Sequence, residues 1–385
     1  MKKVFYATLA LGALILASCQ KENSVELPKV DSPVFTAHID AGTKTVLNGQ
    51  QSEWVSGDAI RVLNESGAAA NYTTTDNGAT ATFKTTEKGF TGTKFVALYP
   101  ATPAGDVTWE SPSVLKKLWL TDNQSTVEGG YDSNAHIAVA YTDKTNFVFK
   151  NAVALLKVSV LGTGINKISV SSKGEKIVGN FSYDLNTGAI STNESGYYNP
   201  STVTLSGTFT NGKDYYIAIL PGTYTAFELS VNGISVKKKT ASVTFNSGKI
   251  YDLGAVRAPF NWGVVGGFNS WNNLSPALLY DTDGDGIFEL KNQDLTDGLK
   301  FIHVPECSWD NSFGAWKKPF IFDTEISTGN WYQIKTYFEF YKQKENVYVS
   351  DVTKKWDIYA YELTTQDGLE IFYTIIPAGS ATPSK

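Results

Sequence analysis

The chain has 385 residues, a net charge of −5 and two cysteines, a length that suits two or three domains with separate cores. The acidic balance and the presence of only two arginines, Arg61 and Arg257, argue against a nucleic-acid partner, which would require a basic face. The 33 glycines, the single methionine and the abundance of Thr, Tyr and Val indicate an all-β protein.

The N-terminus carries an export signal. Lys2 and Lys3 precede an apolar run over residues 4–17, which ends in small residues directly before Cys19. The run is shorter than the roughly 20 residues that a membrane span requires. Its end resembles the lipobox of bacterial lipoproteins, so we predict a lipoprotein signal peptide over residues 1–18 and acylation of Cys19, for example by palmitate, with several acyl chains forming a firm anchor. The alternative is an ordinary signal peptide followed by a chance cysteine.

A polar segment with prolines, residues 19–33, has no periodicity and predicts a flexible tether. With Cys19 lipidated, Cys307 is the sole remaining thiol, so no intramolecular disulfide can form. From residue 34 onward, short alternating runs separated by turn signals predict strands, among them residues 59–63, 94–99 and 137–141. The stretch 112–120 is the one place where we expect one or two helical turns.

A weak similarity between two segments of the chain suggests an internal duplication. Residues 95–100 and 216–221 are both mostly apolar runs that end in proline, as expected for strands in a sandwich core. We therefore predict one sandwich over residues 34–145 and a second over residues 146–257. In this division, residues 147–149 and 155–160 supply core strands of the second sandwich.

The same region resembles the fimbrillin family. Residues 43–45 and 54–62 are similar to the opening of these proteins, residues 149–158 to the start of their second domain, and residues 216–224 and 247–254 to its closing strands. The resemblance covers residues 30–257 and implies a pair of transthyretin-like β-sandwiches exported as a lipoprotein. The residues themselves make the Trp54-x-x-Gly57-Asp58 motif a structural turn, since glycine permits a positive φ and aspartate binds nearby backbone amides.

Stalk members of that family polymerise by proteolytic removal of a first strand and insertion of a partner's strand. Here no arginine lies between Cys19 and Arg61, so an Arg-specific cleavage has no target, although Lys44 remains. A further domain of about 125 residues also follows the second sandwich. Both departures argue against a stalk subunit.

The composition changes at residue 258. Six of the nine tryptophans follow it, more than core packing of one small sandwich needs. A Trp-Gly-x-x-Gly strand at residues 262–266, an aspartate-rich turn at 281–286, a Leu-Lys-Phe strand at 299–301 and a tryptophan-rich loop at 307–318 follow one another. This order of motifs over residues 260–375 resembles the carbohydrate-binding β-sandwich modules of outer-membrane starch-utilisation lipoproteins, which implies a third, Ig-like β-sandwich over residues 258–385. We expect Trp262 to be core, and Trp331 and Trp356 to serve packing or an interface.

Indole faces pack on the apolar faces of sugar rings, and neighbouring amides and cations bind the hydroxyl groups. This chemistry predicts a glycan site in two neighbouring loops, with Lys300 at a position where the resemblance implies a ligand-contacting cation. The predicted glycan-binding residues are Asn269, Trp271, Lys300, Trp309, Asn311, Trp316 and Lys317. Core packing is the alternative role for Trp309 and Trp316.

Asp281, Asp283 and Asp285 match the start of an EF-hand loop, which makes calcium a weak candidate here. The twelfth loop position is Asn292 rather than glutamate, and two Asp-Gly pairs before a strand more simply form a hairpin turn. We therefore prefer the turn and predict no cofactor.

Catalysis lacks a recognisable motif. The three histidines have no metal-ligand spacing, and no catalytic triad or phosphate loop is present. Glu306 and Asp310 could pair for glycoside hydrolysis, but the chain lacks the larger folds usual for such hydrolases. We therefore predict a non-enzymatic, surface-exposed, lipid-anchored outer-membrane protein that binds a polysaccharide or host glycan. The alternative is a fimbrial tip or accessory subunit acting in adhesion, and fimbrial or glycan-uptake proteins are the expected protein partners.

Overall fold

The structure is a computed structural model of the chain. It describes residues 31–39, 53–101, 107–110, 112–192, 200–305, 307, 312–313, 320–322, 331–335, 347–349, 351–365 and 368–384. These residues form β-strands joined by turns, with two short 3-10 turns at Ser133–Ala135 and Gly267–Asn269. No helix among them is long and apolar enough to cross a membrane. The predicted all-β class with sandwich architecture is confirmed.

The strands in the first part of the chain are β1 Phe35–Ile39, β2 Ala59–Asn64, β3 Ala69–Thr73, β4 Thr80–Phe83, β5 Phe95–Tyr99, β6 Thr108–Glu110, β7 Val114–Leu120, β8 Asn123–Ser125, β9 Ala138–Thr142 and β10 Asn146–Asn151. Those in the second part are β11 Ala154–Val160, β12 Lys167–Ser171, β13 Gly179–Asp184, β14 Ile190–Ser191, β15 Thr202–Ser206, β16 Asp214–Ile219, β17 Gly222–Tyr224, β18 Phe227–Val231, β19 Ile234–Lys239, β20 Val243–Phe245 and β21 Ile250–Val256. The C-terminal part contains β22 Pro259–Gly266, β23 Ala277–Tyr280, β24 Phe288–Asp294, β25 Leu299–His303, β26 Ser312–Phe313, β27 Phe320–Phe322, β28 Tyr332–Lys335, β29 Val347–Val349, β30 Lys355–Thr365 and β31 Gly368–Pro377.

A seven-stranded sheet in the order β3-β2-β5-β9-β10-β1-β4 forms the first layer. Its first strand, β1, lies inside the sheet, parallel to β10 and antiparallel to β4. Alternation of apolar and polar residues puts Phe35 and Ala37 of β1 in the core, while Thr36 and His38 are exposed. The Trp54 motif is a turn as predicted: Gly57 has a φ of +100°, and the Asp58 carboxylate accepts the Val55 N–H at 2.9 Å.

The second part contains a five-stranded sheet in the order β19-β18-β12-β15-β8, together with smaller sheets β16-β11-β21, β14-β13-β7-β6 and β17-β20. Strands β7 and β8 precede residue 145, yet β7 pairs with β13 and β8 with β15. Strand pairing therefore crosses the predicted boundary at residues 145 and 146.

Two local predictions are wrong. Residues 147–149 lie in β10 of the first sheet, where Phe147 and Phe149 are fully buried beside β1, rather than in the second sandwich. Residues 114–120 form strand β7 instead of helical turns, because Leu115, Leu118 and Leu120 are buried where the strand pairs with β13, with a shift in register between Leu115 and Leu118.

The C-terminal part forms a ten-stranded sheet around a core of its own. Trp262 is 6% exposed and Trp356 is fully buried, so the predicted core position of Trp262 and the packing role of Trp356 are confirmed. Trp331 is half-buried, lies 4.7 Å from the ring of Tyr361 and donates its indole N–H to the Ser384 carbonyl at 2.8 Å. Its predicted packing role is also confirmed.

Candidate functional sites

The loop between β22 and β23 holds two of the predicted glycan-binding residues. Its backbone folds tightly: Ser270 and Trp271 both have a φ of +56°, and the Trp271 N–H donates to the Gly266 carbonyl at 2.9 Å. Left-handed conformations are unfavourable for residues other than glycine and cluster at functional sites. The half-buried Trp271 side chain is therefore held in a defined place by a constrained loop.

Asn269 organises this loop. Its side-chain oxygen accepts the Gly266 N–H at 2.9 Å, and its amide nitrogen donates to the Ser275 carbonyl at 3.2 Å. The side chain that we predicted to bind sugar hydroxyl groups thus uses both of its polar ends on the loop backbone. Its geometry supports the position of Trp271 rather than direct contact with a ligand.

Lys300 lies on β25, directly opposite Val265 of β22, and is half-buried. Because β22 leads into the loop, Lys300 stands near the strand end from which the loop departs. The structure therefore brings Lys300 to the same region as Asn269 and Trp271. Trp309, Asn311, Trp316 and Lys317 lie outside the described residues, as do Cys19, Glu306 and Asp310.

The aspartate-rich segment is the hairpin loop between β23 and β24, as predicted. Asp281 accepts backbone N–H groups from Gly284 at 2.7 Å and Gly286 at 3.0 Å, and both glycines have positive φ. One carboxylate oxygen from each of Asp281, Asp283 and Asp285 lies within 4.8 Å of the others. The predicted turn accounts for these residues, and calcium stays the alternative that the sequence offered.

A cleft that we did not predict lies between β19 and the C-terminal sheet. It has a volume of about 950 Å³ and adjoins a pocket of about 220 Å³, since Val236, Lys237 and Tyr280 line both. The smaller pocket also contains Arg257, whose Nε is buried and has no hydrogen-bond partner in the described part of the chain. Burial raises the pKa of the Tyr280 hydroxyl above its ordinary value of 10.0. The walls of the cleft come from residues far apart in sequence, so no local pattern could have revealed it.

No protein-family model matches the sequence, and no curated protein is significantly similar to it. Among solved structures, a putative cell adhesion protein from Bacteroides ovatus is 17% identical to this chain. The alignment covers 59% of this chain and 93% of the Bacteroides ovatus protein, with a TM-score of 0.36. A putative cell adhesion protein from Bacteroides uniformis is 18% identical and covers 58% of this chain and 94% of its own, with a TM-score of 0.35. The C-terminally truncated tip fimbrial protein Mfa3 from Porphyromonas gingivalis is 11% identical and covers 70% of this chain and 98% of its own, with a TM-score of 0.23. The structural neighbours are thus cell adhesion and fimbrial proteins, but similarity at these TM-scores assigns neither a family nor an activity to this chain.

Proposed function

We propose that the protein is an exported, non-catalytic accessory subunit of a fimbria or similar surface fibre, acting in adhesion. The observation that carries this proposal is the position of β1. The first strand after the predicted tether is inserted between two strands of a sheet, β10 and the edge strand β4, rather than added at its edge. Insertion of a strand into a sheet is a recurring mode of subunit assembly.

The groove that β1 fills has the properties that strand exchange requires. Its walls are the strands β10 and β4. Residues 36–38 of β1 pair with both of these strands. Its floor is aromatic: the ring of Phe35 lies 4.8 Å from Phe147 and 4.9 Å from Phe95. A strand with an aromatic residue at the position of Phe35 and a small apolar residue two positions later could occupy this groove.

The sequence favours a terminal place in such an assembly. With no arginine between Cys19 and Arg61, an Arg-specific protease has no cleavage site in the segment that joins β1 to β2, although Lys44 remains there. A subunit that keeps its own first strand has no vacant groove for a partner's strand at this sheet. It can therefore end a fibre or attach to it, but it cannot repeat along a stalk.

The predicted lipid at Cys19 would hold the chain at the outer membrane, with the sandwiches facing outward. Protease treatment of intact cells, together with isolation of fimbriae, tests the proposal. We expect the wild-type protein to be digested at the surface and to co-purify with the fimbriae, whereas Cys19→Ala should be lost from the membrane fraction. A protein that is protected from protease and absent from fimbriae would contradict the proposal.

The constrained Trp271 loop favours a second candidate function, the binding of a glycan by the C-terminal part. We expect Trp271→Ala to abolish retardation of the full mature chain in polysaccharide gels. Tyr141→Ala removes an exposed aromatic from the first sheet and is the matched control, since Tyr141 is 44% exposed. The same gels test Trp309→Ala and Trp316→Ala. Equal migration of the wild type with and without every polysaccharide would exclude this function.

A further inference from the structure

We infer that the cleft between β19 and the C-terminal sheet binds an extended acidic peptide segment of a protein partner. The residues that line the cleft are not those that form the groove of β1, so this inference does not depend on the fimbrial role. Its volume of about 950 Å³ is at the upper end of the range of ligand pockets, roughly 300–1,000 Å³. That space accommodates several residues of an extended chain.

The charges of the cleft favour an anionic ligand. Lys237, Lys238 and Arg257 line the cleft and its adjoining pocket, in a chain whose net charge is −5. Glu228 is the carboxylate among the lining residues, and it is paired with Lys238 at 3.1 Å. The adjoining pocket is lined by Lys237 and Arg257, and no carboxylate is among its lining residues.

Both of these cations have donor capacity to spare. The Lys237 ammonium donates to the carbonyls of Leu253 at 2.6 Å and Ala255 at 3.1 Å, which leaves one of its three N–H groups. The buried Nε of Arg257 has no hydrogen-bond partner among the described residues, and leaving a buried donor unpaired is costly. A carboxylate in the small pocket would be attracted by both the Lys237 ammonium and the Arg257 guanidinium, and guanidinium groups are well suited to binding carboxylates.

The backbone of β19 favours an extended peptide as the carrier of that carboxylate. β19 is the edge strand of its five-stranded sheet and pairs with β18 alone among the described strands. Its outer edge can therefore add a further strand, in which backbone hydrogen bonds provide affinity and alternate side chains provide specificity. Consecutive lysines at 237–239 disfavour pairing with a neutral or basic strand and favour an acidic one.

The walls of the cleft distinguish a peptide from an acidic glycan. Sugar rings bind to flat aromatic faces, but Tyr280 is the single aromatic residue among the described residues that line the cleft. Leu274, Pro276 and Val304 offer contacts that suit apolar side chains. An acidic peptide with alternating apolar residues satisfies the charges, the edge strand and the aliphatic walls together.

The test is fluorescence anisotropy of the full mature chain with a labelled synthetic peptide of alternating valine and glutamate. We expect the version with glutamine in place of glutamate to bind about tenfold or more weakly, because it loses its charge-assisted hydrogen bonds. Methylation of alternate backbone nitrogens should abolish binding, because it blocks strand addition. Binding of the peptide should also slow the alkylation of Cys307, which lines the cleft.

Arg257→Met should weaken binding of the glutamate peptide by about tenfold or more, whereas Lys84→Met, which removes an exposed cation from the other end of the chain, should have no effect. Leu274→Asp is the second variant, in case Arg257→Met fails to fold. Leu274 is 76% exposed on the cleft rim, so the added charge should weaken binding about fivefold or more without lowering the melting temperature.

Four results would overturn the inference. They are no binding of the glutamate peptide, equal binding of the glutamine version, equal binding of the methylated version, and no effect of either cleft variant. Binding of dextran sulfate in the same cleft, without binding of the peptide, would identify an acidic glycan as the ligand and would also overturn it.

Discussion

The structure predicts that Phe35 anchors β1 and that its removal opens the first sheet. The Phe35 side chain is fully buried, and its ring centroid lies within 5.1 Å of those of Tyr72, Phe95 and Phe147. Replacing a buried phenylalanine with alanine costs about 3–5 kcal/mol. The neighbouring Thr36 is exposed on the same strand, so Thr36→Ala should change stability by no more than about 0.5 kcal/mol.

Hydrogen exchange measured by mass spectrometry is the suitable assay, because a chain with several sheets need not unfold in a single transition. In Phe35→Ala, we expect the opening free energy of the β4 and β10 amides to fall by about 3–5 kcal/mol. Protection in the ten-stranded C-terminal sheet should be unchanged, since it has a separate core.

Strand complementation tests the same reasoning more directly. In a chain that begins after β1, the amides of β4 and β10 should lose protection, and an added peptide of residues 31–39 should restore it. The same peptide with Phe35→Ala should fail. If β4 and β10 stay protected without β1, or if Phe35→Ala behaves like Thr36→Ala, the groove is not held together by this strand and the reasoning is refuted.

Three further predictions concern stability. Burial lowers the pKa of His136 to about 4 from its ordinary 6.5, so the unfolded chain binds more protons than the folded chain between these two pH values. The free energy of unfolding should therefore fall by about 3 kcal/mol as the pH drops through this range. Denaturant titrations of the wild type should show this pH dependence and those of His136→Gln should not, and parallel curves would contradict the prediction. The buried Gln124 amide donates to the Ala218 carbonyl at 2.8 Å and accepts the Ala218 N–H at 2.9 Å. Gln124→Leu should leave both Ala218 backbone groups unpaired and lower the free energy of unfolding by about 2–4 kcal/mol. A loss below about 1 kcal/mol in a denaturant titration would contradict this role of Gln124. In Gly298→Ala, the added Cβ would lie 2.5 Å from the Val347 carbonyl oxygen, at a residue whose φ is +77°. The melting temperature of this variant should fall well below that of Gly284→Ala, because φ is also positive at Gly284 but nothing lies within 4 Å of the added Cβ. Equal melting temperatures of the two variants would contradict the predicted clash.

Alternating apolar residues were sufficient to predict the class of the fold and individual strands such as β2, β5 and β9. They predict which face of a strand is buried, but they do not predict its partner. For this reason the sequence placed Phe147 and Phe149 in the second sandwich, whereas β10 pairs with β1 across more than 100 residues of sequence. The pairing of β7 with β13 was hidden for the same reason.

Prediction of the functional residues was limited by a different cause. Asn269 has the chemistry of a sugar ligand, but its hydrogen bonds to Gly266 and Ser275 depend on the loop conformation, which residue type alone does not specify. The cleft is formed by residues that are distant in sequence. Lys237 of β19 and Tyr280 of β23 line it together only because the fold brings these two strands to the same place.

The central claim is that the protein belongs to a surface fibre and keeps its own first strand. Mass spectrometry of the protein recovered from purified fimbriae tests both parts in one measurement. The account predicts that the chain is present in the fimbriae, with acylated Cys19 and intact peptides covering Phe35–Ile39. Absence of the chain from fimbriae, or recovery only of forms that begin after Ile39, would contradict it.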